Sequence, residues 1–455
     1  MDRLRFLSLG LLGVASPRSV LDLLTAPRYR SRPDLDPARV HVISAPRRTA
    51  SGAIFVSNTN GEGQPGPMII DDLGELIWFE PRPGLAVMNF GHHTLDGKQV
   101  IAWWEGNLDN GHGSGEYVVL DTSYRELTRV RAGNGLAADL HEFVITPQNT
   151  AILTAYAPSA DGTLLDSIVQ EVDVRSGAVL LEWRASDHIA PDESYAEQPS
   201  SGVWDFAHLN AAALDTDGNI LVSSRHAWTI YKVDRTTGAT IWRLGGKRSD
   251  FVLDPAAQFA WQHHVRRHAD GSLTVFDNGA GVFDTEAYSR GVRLTLDESA
   301  GKATLQQQLA HPDKLLASAM GSMEPLDDGG AFVGWGSASR FSEFAADGTL
   351  RFDAGYPAGG FTYRAFRHDW TASPTGAPAL AVAGGAGWAS WNGATAIATW
   401  RLHAGPSKTS LEPVQDVVKR SFETKLPLPR GARWVRADAL DTKGRVIGRS
   451  AAVKA

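Results

Sequence analysis

The sequence predicts an all-β chain: a six-bladed β-propeller over residues 46–370, then a small β-sandwich of the immunoglobulin or fibronectin type over 371–455. Three observations carry this expectation. A strand–turn–strand unit recurs six times. Each copy follows another short β-rich run. The texture of the chain then changes after Trp370.

The recurring unit is an apolar strand ending near Asp, a Gly-containing turn and a second strand. Its copies are "MIIDDLGELIWFEP" (68–81), "YVVLDTSYRELTRVRAG" (117–133), "IVQEVDVRSGAVLLEWRAS" (168–186), "TIYKVDRTTGATIWRLGGK" (229–247), "RGVRLTLDESAGKATLQQQL" (290–309) and "SRFSEFAADGTLRFDAGYP" (339–357). Turns such as "VRSGA" and "AADGT" between alternating strands read as hairpins. Asp71, Asp121, Asp173, Asp234, Asp297 and Ala346 mark equivalent positions, spaced 50, 52, 61, 63 and 49 residues apart. That period suits a blade of about 40–50 residues with loop insertions. Runs such as "GAIFVSN" (52–58), "NILVSSRH" (219–226) and "GAFVGWGS" (330–337) precede the hairpins and complete four-stranded blades. Radial closure of such blades leaves few exposed edges. After "YRAFRHDW" (363–370), the Pro- and Gly-rich "TASPTGAPA" is a linker, and short strands with turn signals follow.

Residues 1–45 form an N-terminal segment. Arg3 and Arg5 precede the apolar run Phe6 to Ala15, which fits either a signal peptide or a short helix. Read as a signal peptide it implies a secreted or periplasmic protein, otherwise a cytoplasmic one. The run is too short to span a bilayer, and no other segment is apolar enough. A net charge of −7 argues against a nucleic-acid partner. The chain has no cysteine, which excludes disulfides and thiolate zinc sites. Neither GKS/GKT nor GxSxG occurs, and no GxGxxG dinucleotide loop opens a helix after a strand, so no nucleotide cofactor or serine-hydrolase elbow is expected. No HxH or HExxH spacing points to a metal, and none is expected.

Loops at one end of a propeller channel converge, so residues at equivalent blade positions become neighbours. His141 in "DLHEFVITPQNTAIL", His208 in "DFAHLNAAALD" and His263 in "WQHHVRRH" each precede an alternating strand and a turn. His92 or His93 does so one blade earlier. Asn210 accompanies His208, and "SSRH" places Arg225 and His226 at the end of the next strand. "FDNG" offers Asn278 after His263. Strict alternation puts His263 and Val265 on one strand face and Gln262, His264 and Arg266 on the other.

The stretches "DFAHLNAAALDTDGNILVSSRH", "TIYKVDRTTGATIWRLGGKRSDF", "WQHHVRRHADGSLTVFDNGA", "HEFVITPQNTAIL", "GWGSASRFSEFAADGTLRFDA" and "YRAFRHDW" together resemble the arylsulfotransferase family, in the branch with a β-sandwich tail. The resemblance runs in order over about residues 50–405 and implies a six-bladed propeller. It also implies transfer of a sulfuryl group from a phenolic sulfate ester to a phenol, without phosphoadenylyl sulfate, through a channel histidine. His208 and His263 match the family's sulfate-binding histidines, and Arg225 and His226 match its "SRH". The family nucleophile follows a stretch like "GWGSAS", where Arg340 stands here. Arginine stays protonated and cannot attack sulfur. The family's sulfate-binding arginine after "FDNG" is also missing, with Gly281 and Val282 in its place.

The expected catalytic residues are therefore His208 and His263. Arg225, His226, Asn210, Asn278, Arg340, His141 and Arg364 are expected around a small aromatic or phenolic substrate. Three readings remain: a sulfotransferase with another nucleophile; a lyase, cyclase or hydrolase with a histidine acid–base pair; and a binding module for anionic aromatic ligands, clamped by Arg340 and Arg225.

Overall fold

The computed structural model describes residues 28–357 and 359–455, and the apolar run at Phe6 to Ala15 lies outside them. All six quoted hairpins are antiparallel strand pairs. Their repeated aspartate has a local physical cause. Asp71, Asp121, Asp173 and Asp234 each accept main-chain N–H groups two to four residues onward, which closes the turn. The sixth copy does this with Asp347, one residue past Ala346.

Each hairpin supplies the outer two strands of a sheet. Sheet 2 is Ala86–Leu95, Lys98–Asp109, His112–Asp121 and Glu126–Val130; sheet 3 is Phe143–Ile145, Thr150–Pro158, Leu165–Asp173 and Val179–Arg184. Sheet 4 is Leu209–Leu214, Ile220–Ser224, Thr229–Val233 and Thr240–Gly245. Sheet 5 is His263–Arg267, Leu273–Asp277, Arg290–Asp297 and Lys302–Ala310, with Val252–Leu253 added in parallel. Sheet 6 is Ser322–Pro325, Ala331–Gly334, Arg340–Phe344 and Leu350–Gly355, with His41–Ser44 at its edge. Sheet 1 joins the two ends of this region: Phe366–His368 pairs with Ala53–Asn58, followed by Gly66–Ile70 and Leu76–Phe79.

Most of these strands are buried on both faces, because each sheet packs against two others. Six apolar clusters result, each shared by two sheets. Phe55 and Trp103 join sheets 1 and 2; Tyr117 and Phe143 join 2 and 3; Ile152 and Tyr231 join 3 and 4. Leu221 and Val275 join 4 and 5, Phe276 and Met323 join 5 and 6, and Phe341 and Val56 join 6 back to 1.

Beyond Trp370, Ala379–Ala383, Ala386–Ser390 and Thr424–Pro427 form one sheet. Thr399–Ser407, Ser410–Val418, Trp434–Leu440, Val446–Arg449 and Val453–Lys454 form another. Trp400, Leu402, Ala389 and Leu426 put both sheets around one apolar core.

Candidate active site

The side chains that converge come from the leading strands of the sheets and from the segments just before them, joined by loop and hairpin-tip residues. Asn89, His208, His264 and Met320 all have left-handed backbone conformations, with φ between 50° and 66°. Non-glycine residues adopt this region rarely, and it costs about 1–2 kcal/mol. Register shifts accompany it between Met88 and Gly91, Leu209 and Ala211, and His263 and Arg266. A bulge breaks strict alternation and re-aims side chains.

Two cavities follow. The upper one, about 370 Å³, is lined by His112, His141, Asp205, His208, Arg225, His226 and His263 on its polar side. Met88, Leu140, Met320, Phe361 and Tyr363 supply its apolar side. The lower one, about 450 Å³, is lined by His92, His93, His264, Arg266, Arg267, His268 and His368. The "WQHHVRRH" run therefore divides. His263 faces the upper cavity, Val265 enters the core between sheets 4 and 5, and His264 through His268 otherwise face the lower cavity.

Between the cavities lies a buried ion network. Arg364 reaches both oxygens of Glu142 at 2.7 and 3.1 Å, and Arg266 reaches them at 2.9 and 2.9 Å. Arg364 also donates to the main-chain carbonyls of His141 and Asn210 and to Asn89 Oδ1. One guanidinium from the segment leading into sheet 1's closing strand thus ties sheets 2, 3 and 4 together. Burial raises the Glu142 carboxyl, but the two arginines outweigh it and bring it down to about 2.

In the upper cavity, four histidines are anchored in the same way. Each bonds an oxygen through Nδ1: His141 to Asp139 at 2.6 Å, His208 to Asp205 at 2.5 Å, His226 to the Asp205 carbonyl at 2.6 Å and His263 to Asn278 at 2.7 Å. An oxygen at Nδ1 fixes the ring and its tautomer and directs Nε2 elsewhere. The rings of His141 and His208 stand 4.8 Å apart, as do those of His208 and His226.

The four Nε2 atoms differ in what they meet. Asn278 spends its amide N–H groups on the Ala317 and Met320 carbonyls, so its oxygen must accept from His263 Nδ1–H. The His263 Nε2 then accepts from the Met320 N–H at 3.1 Å, and both ring nitrogens are occupied. The His226 Nε2 meets Arg225 at 2.8 Å. The Nε2 atoms of His141 and His208 have no hydrogen-bond partner among the described residues. Burial holds His208 and His263 well below the usual imidazole range and brings His226 to about 4. The His208 Nε2 therefore presents a lone pair to the cavity that His141 also lines.

Arg225 donates to the Ser318 carbonyl at 3.0 Å and lies over the Trp261 ring, and its buried Nε has no partner among the described residues. Asn210 and Asn278 are fully buried and line neither cavity, so they do not meet a ligand there; Asn278 anchors His263, and the Asn210 amide donates to the Gln262 carbonyl at 2.7 Å.

Arg340 does not line either cavity. It opens the third strand of sheet 6, and its guanidinium turns outward to Asp353 and Asp313. Paired with two carboxylates there, it offers no cation to a ligand in the upper cavity.

Sequence reasoning missed His112, Asp205, Asp139 and Tyr156. Asp205 bonds both His112 Nε2, at 3.1 Å, and His208 Nδ1. Burial opposes ionisation of Asp205, yet the surrounding histidines hold its carboxyl well below the usual range. The same carboxylate outweighs the burial of His112 and raises that imidazole. Tyr156 packs 4.4 Å from the His112 ring and donates to the Leu209 carbonyl.

Among the described residues, no helix is long and apolar enough to cross a membrane. In fold, the chain is similar to a protein of unknown function from Bacteroides caccae, with 16% identity over 70% of this chain and 100% of that one, at a TM-score of 0.45. It is also similar to the periplasmic gluconolactonase PpgL of Pseudomonas aeruginosa, with 12% identity over 83% and 99% of the two chains, at 0.38. No curated protein matches it. The family model described as Arylsulfotransferase (ASST) matches residues 91–356. That span holds every polar residue of the upper cavity and more than half of the 455 residues, and the chain belongs to the arylsulfotransferase family.

Proposed function

We propose that the protein is an arylsulfotransferase-like enzyme that moves a sulfuryl group between a phenolic sulfate ester and a phenol in the upper cavity. The six sheets are the blades of a six-bladed propeller over 46–370, and residues 371–455 are a β-sandwich. The six apolar clusters, each shared by successive sheets and ending on the first, support the blade count.

One observation carries the functional reading in a chain of this family. Four histidines with oxygen-anchored Nδ1 atoms meet one arginine in a half-apolar cavity. Sulfuryl transfer, like loose phosphoryl transfer, needs positioning and positive charge on the equatorial oxygens more than covalent force. Arg225 supplies that charge. Met88, Leu140, Phe361 and Tyr363 suit an aromatic ring.

With Arg340 outside the cavity, the Nε2 lone pair of His141 is the group placed to attack sulfur. The N–S bond forms as the S–O bond to the donor phenol breaks, and that oxygen leaves as phenolate. In the second half the acceptor phenol oxygen attacks sulfur and the N–S bond breaks. His208, facing the same space, takes the acceptor's proton and passes it to solvent. His263, with both nitrogens engaged, positions the Met320 segment against the cavity.

Incubating the protein with nitrophenyl or umbelliferyl sulfate is expected to release the chromophore only when a phenol acceptor is added. His208→Ala should lower kcat/KM by at least the roughly 10²–10⁴-fold attributed to a positioned acid–base group. Release without acceptor would instead favour the hydrolase reading. No release across many donor–acceptor pairs would refute transfer.

A further inference from the structure

We propose that His112, Asp205 and His208 form a binding site for one divalent transition-metal ion of the zinc type, open to the upper cavity. The site goes beyond sulfuryl transfer and does not depend on it.

The placement of His112 is the first observation. Strands Lys98–Asp109 and His112–Asp121 stay in register to their very tip, where Asp109 faces His112. The two connecting residues, Asn110 and Gly111, both have left-handed backbones, at φ 48° and 87°. Two such residues make the tight turn whose twist matches paired strands. This hairpin outreaches those of the other sheets and carries His112 from sheet 2 to the loop leading into sheet 4.

The second observation is the convergence at one atom. His112 Nε2 and His208 Nδ1 both address Asp205 Oδ2, at 3.1 and 2.5 Å, and the three donor atoms lie within 4.8 Å of one another. Ligands about 2.0–2.1 Å from a tetrahedral ion stand roughly 3.3 Å apart. Small side-chain adjustments therefore bring all three onto one ion, which takes the place of the two N–H protons aimed at that oxygen.

The surroundings already orient the carboxylate. Its other oxygen, Oδ1, accepts the His208 main-chain N–H at 3.1 Å, which leaves Oδ2 for the ion. The Asp205 carbonyl is held by His226 Nδ1 at 2.6 Å. Such second contacts fix ligand direction. Two imidazoles and one carboxylate suit a borderline ion such as Zn²⁺, and three protein ligands leave a fourth position toward the cavity. In the loaded site Nδ1 of His208 holds the ion and its Nε2 carries a proton toward the ligand, so the metal-bound form is distinct from the form in which His208 accepts a proton during transfer. The ion's charge exceeds that of the single carboxylate, so the cavity favours an anionic oxygen there.

Metal content tests the site without any substrate. Untagged protein loaded with Zn²⁺ and dialysed against metal-free buffer is expected to retain about one ion per chain by mass spectrometry, as a dedicated site does. His112→Ala and Asp205→Asn are expected to bind Zn²⁺ more than about 100-fold more weakly, beyond the loss from altering a supporting contact. His112 sits on a hairpin tip, so circular dichroism should show that variant folded. His264→Gln, in the lower cavity, should keep the ion. Co²⁺ in the same site should give visible d–d bands that shift on adding sulfate. Wild-type protein that retains no Zn²⁺, or a folded His112→Ala variant that retains as much, overturns the proposal. Transfer activity in a protein that retains no Zn²⁺ after loading overturns this site alone, and retained Zn²⁺ without transfer activity leaves it standing.

Discussion

Glu142→Ala is expected to destabilise the fold by about 3–5 kcal/mol, the cost of removing one partner from a buried ion network. The Glu142 side chain is fully buried and faces two guanidiniums, one of them, Arg364, equally buried. It also accepts the Phe143 and Ala212 main-chain N–H groups. Alanine leaves Arg364 charged and buried without its carboxylate. Urea unfolding should show a lower midpoint with an unchanged slope. The double variant Glu142→Ala, Arg266→Ala should cost less than the sum of the singles, since both remove the same contacts. A Glu142→Ala protein within about 0.5 kcal/mol of wild type, the range of ordinary surface changes, would show that this network does not hold the sheets together.

Stability is also expected to fall steeply between pH 6.5 and 5. The side chains of His226, His263 and His264 are buried, and burial lowers all three imidazoles, His226 to about 4 and the others well below the usual range. In the unfolded chain each takes up a proton near pH 6.5, while the folded protein does not. Stability that is present above 6.5 is therefore lost as pH falls toward the folded values, at up to about 1.4 kcal/mol per pH unit for each histidine. Three together give a slope of about 4 kcal/mol per unit. His112 has the opposite sign: its raised value gives a contribution complete below 6.5 and lost above it. Carboxylates such as Glu142 add their loss only nearer pH 4. Denaturant midpoints at pH 7.5, 6.5 and 5.5 measure the effect. His264→Gln should flatten the slope by about one imidazole's share. Equal midpoints at all three pH values would mean that water or a ligand lets these rings protonate in place.

The repeat was legible because its causes are local. An aspartate that closes its own turn and an alternating strand on either side lie within a dozen residues, and six copies repeat that chemistry. Equivalent positions then pointed to His141, His208 and His263, and all three line the upper cavity. Strict alternation was a poorer guide within "WQHHVRRH". It separated His263 from His264 and Arg266, as the cavities do, but grouped Val265 with His263; with the left-handed His264 and the bulge after His263, Val265 enters the core and both Arg266 and Arg267 face the lower cavity.

Arg340 and His112 show the limit most clearly. Linear position placed Arg340 where a nucleophile was expected, but Asp353 on the partner strand of its own hairpin and Asp313 in the preceding loop hold it away from the cavity. His112 showed only one local sign, an Asn-Gly turn at the tip of a long hairpin. Its partner Asp205 lies 93 residues on. Composition, turn chemistry and period by themselves determined an all-β chain and which repeated positions carry imidazoles. Only the tertiary structure decided which nitrogens remain free, because that depends on partners such as Asp139, Asp205, Asn278 and Met320 being brought to each ring by other turns and sheets.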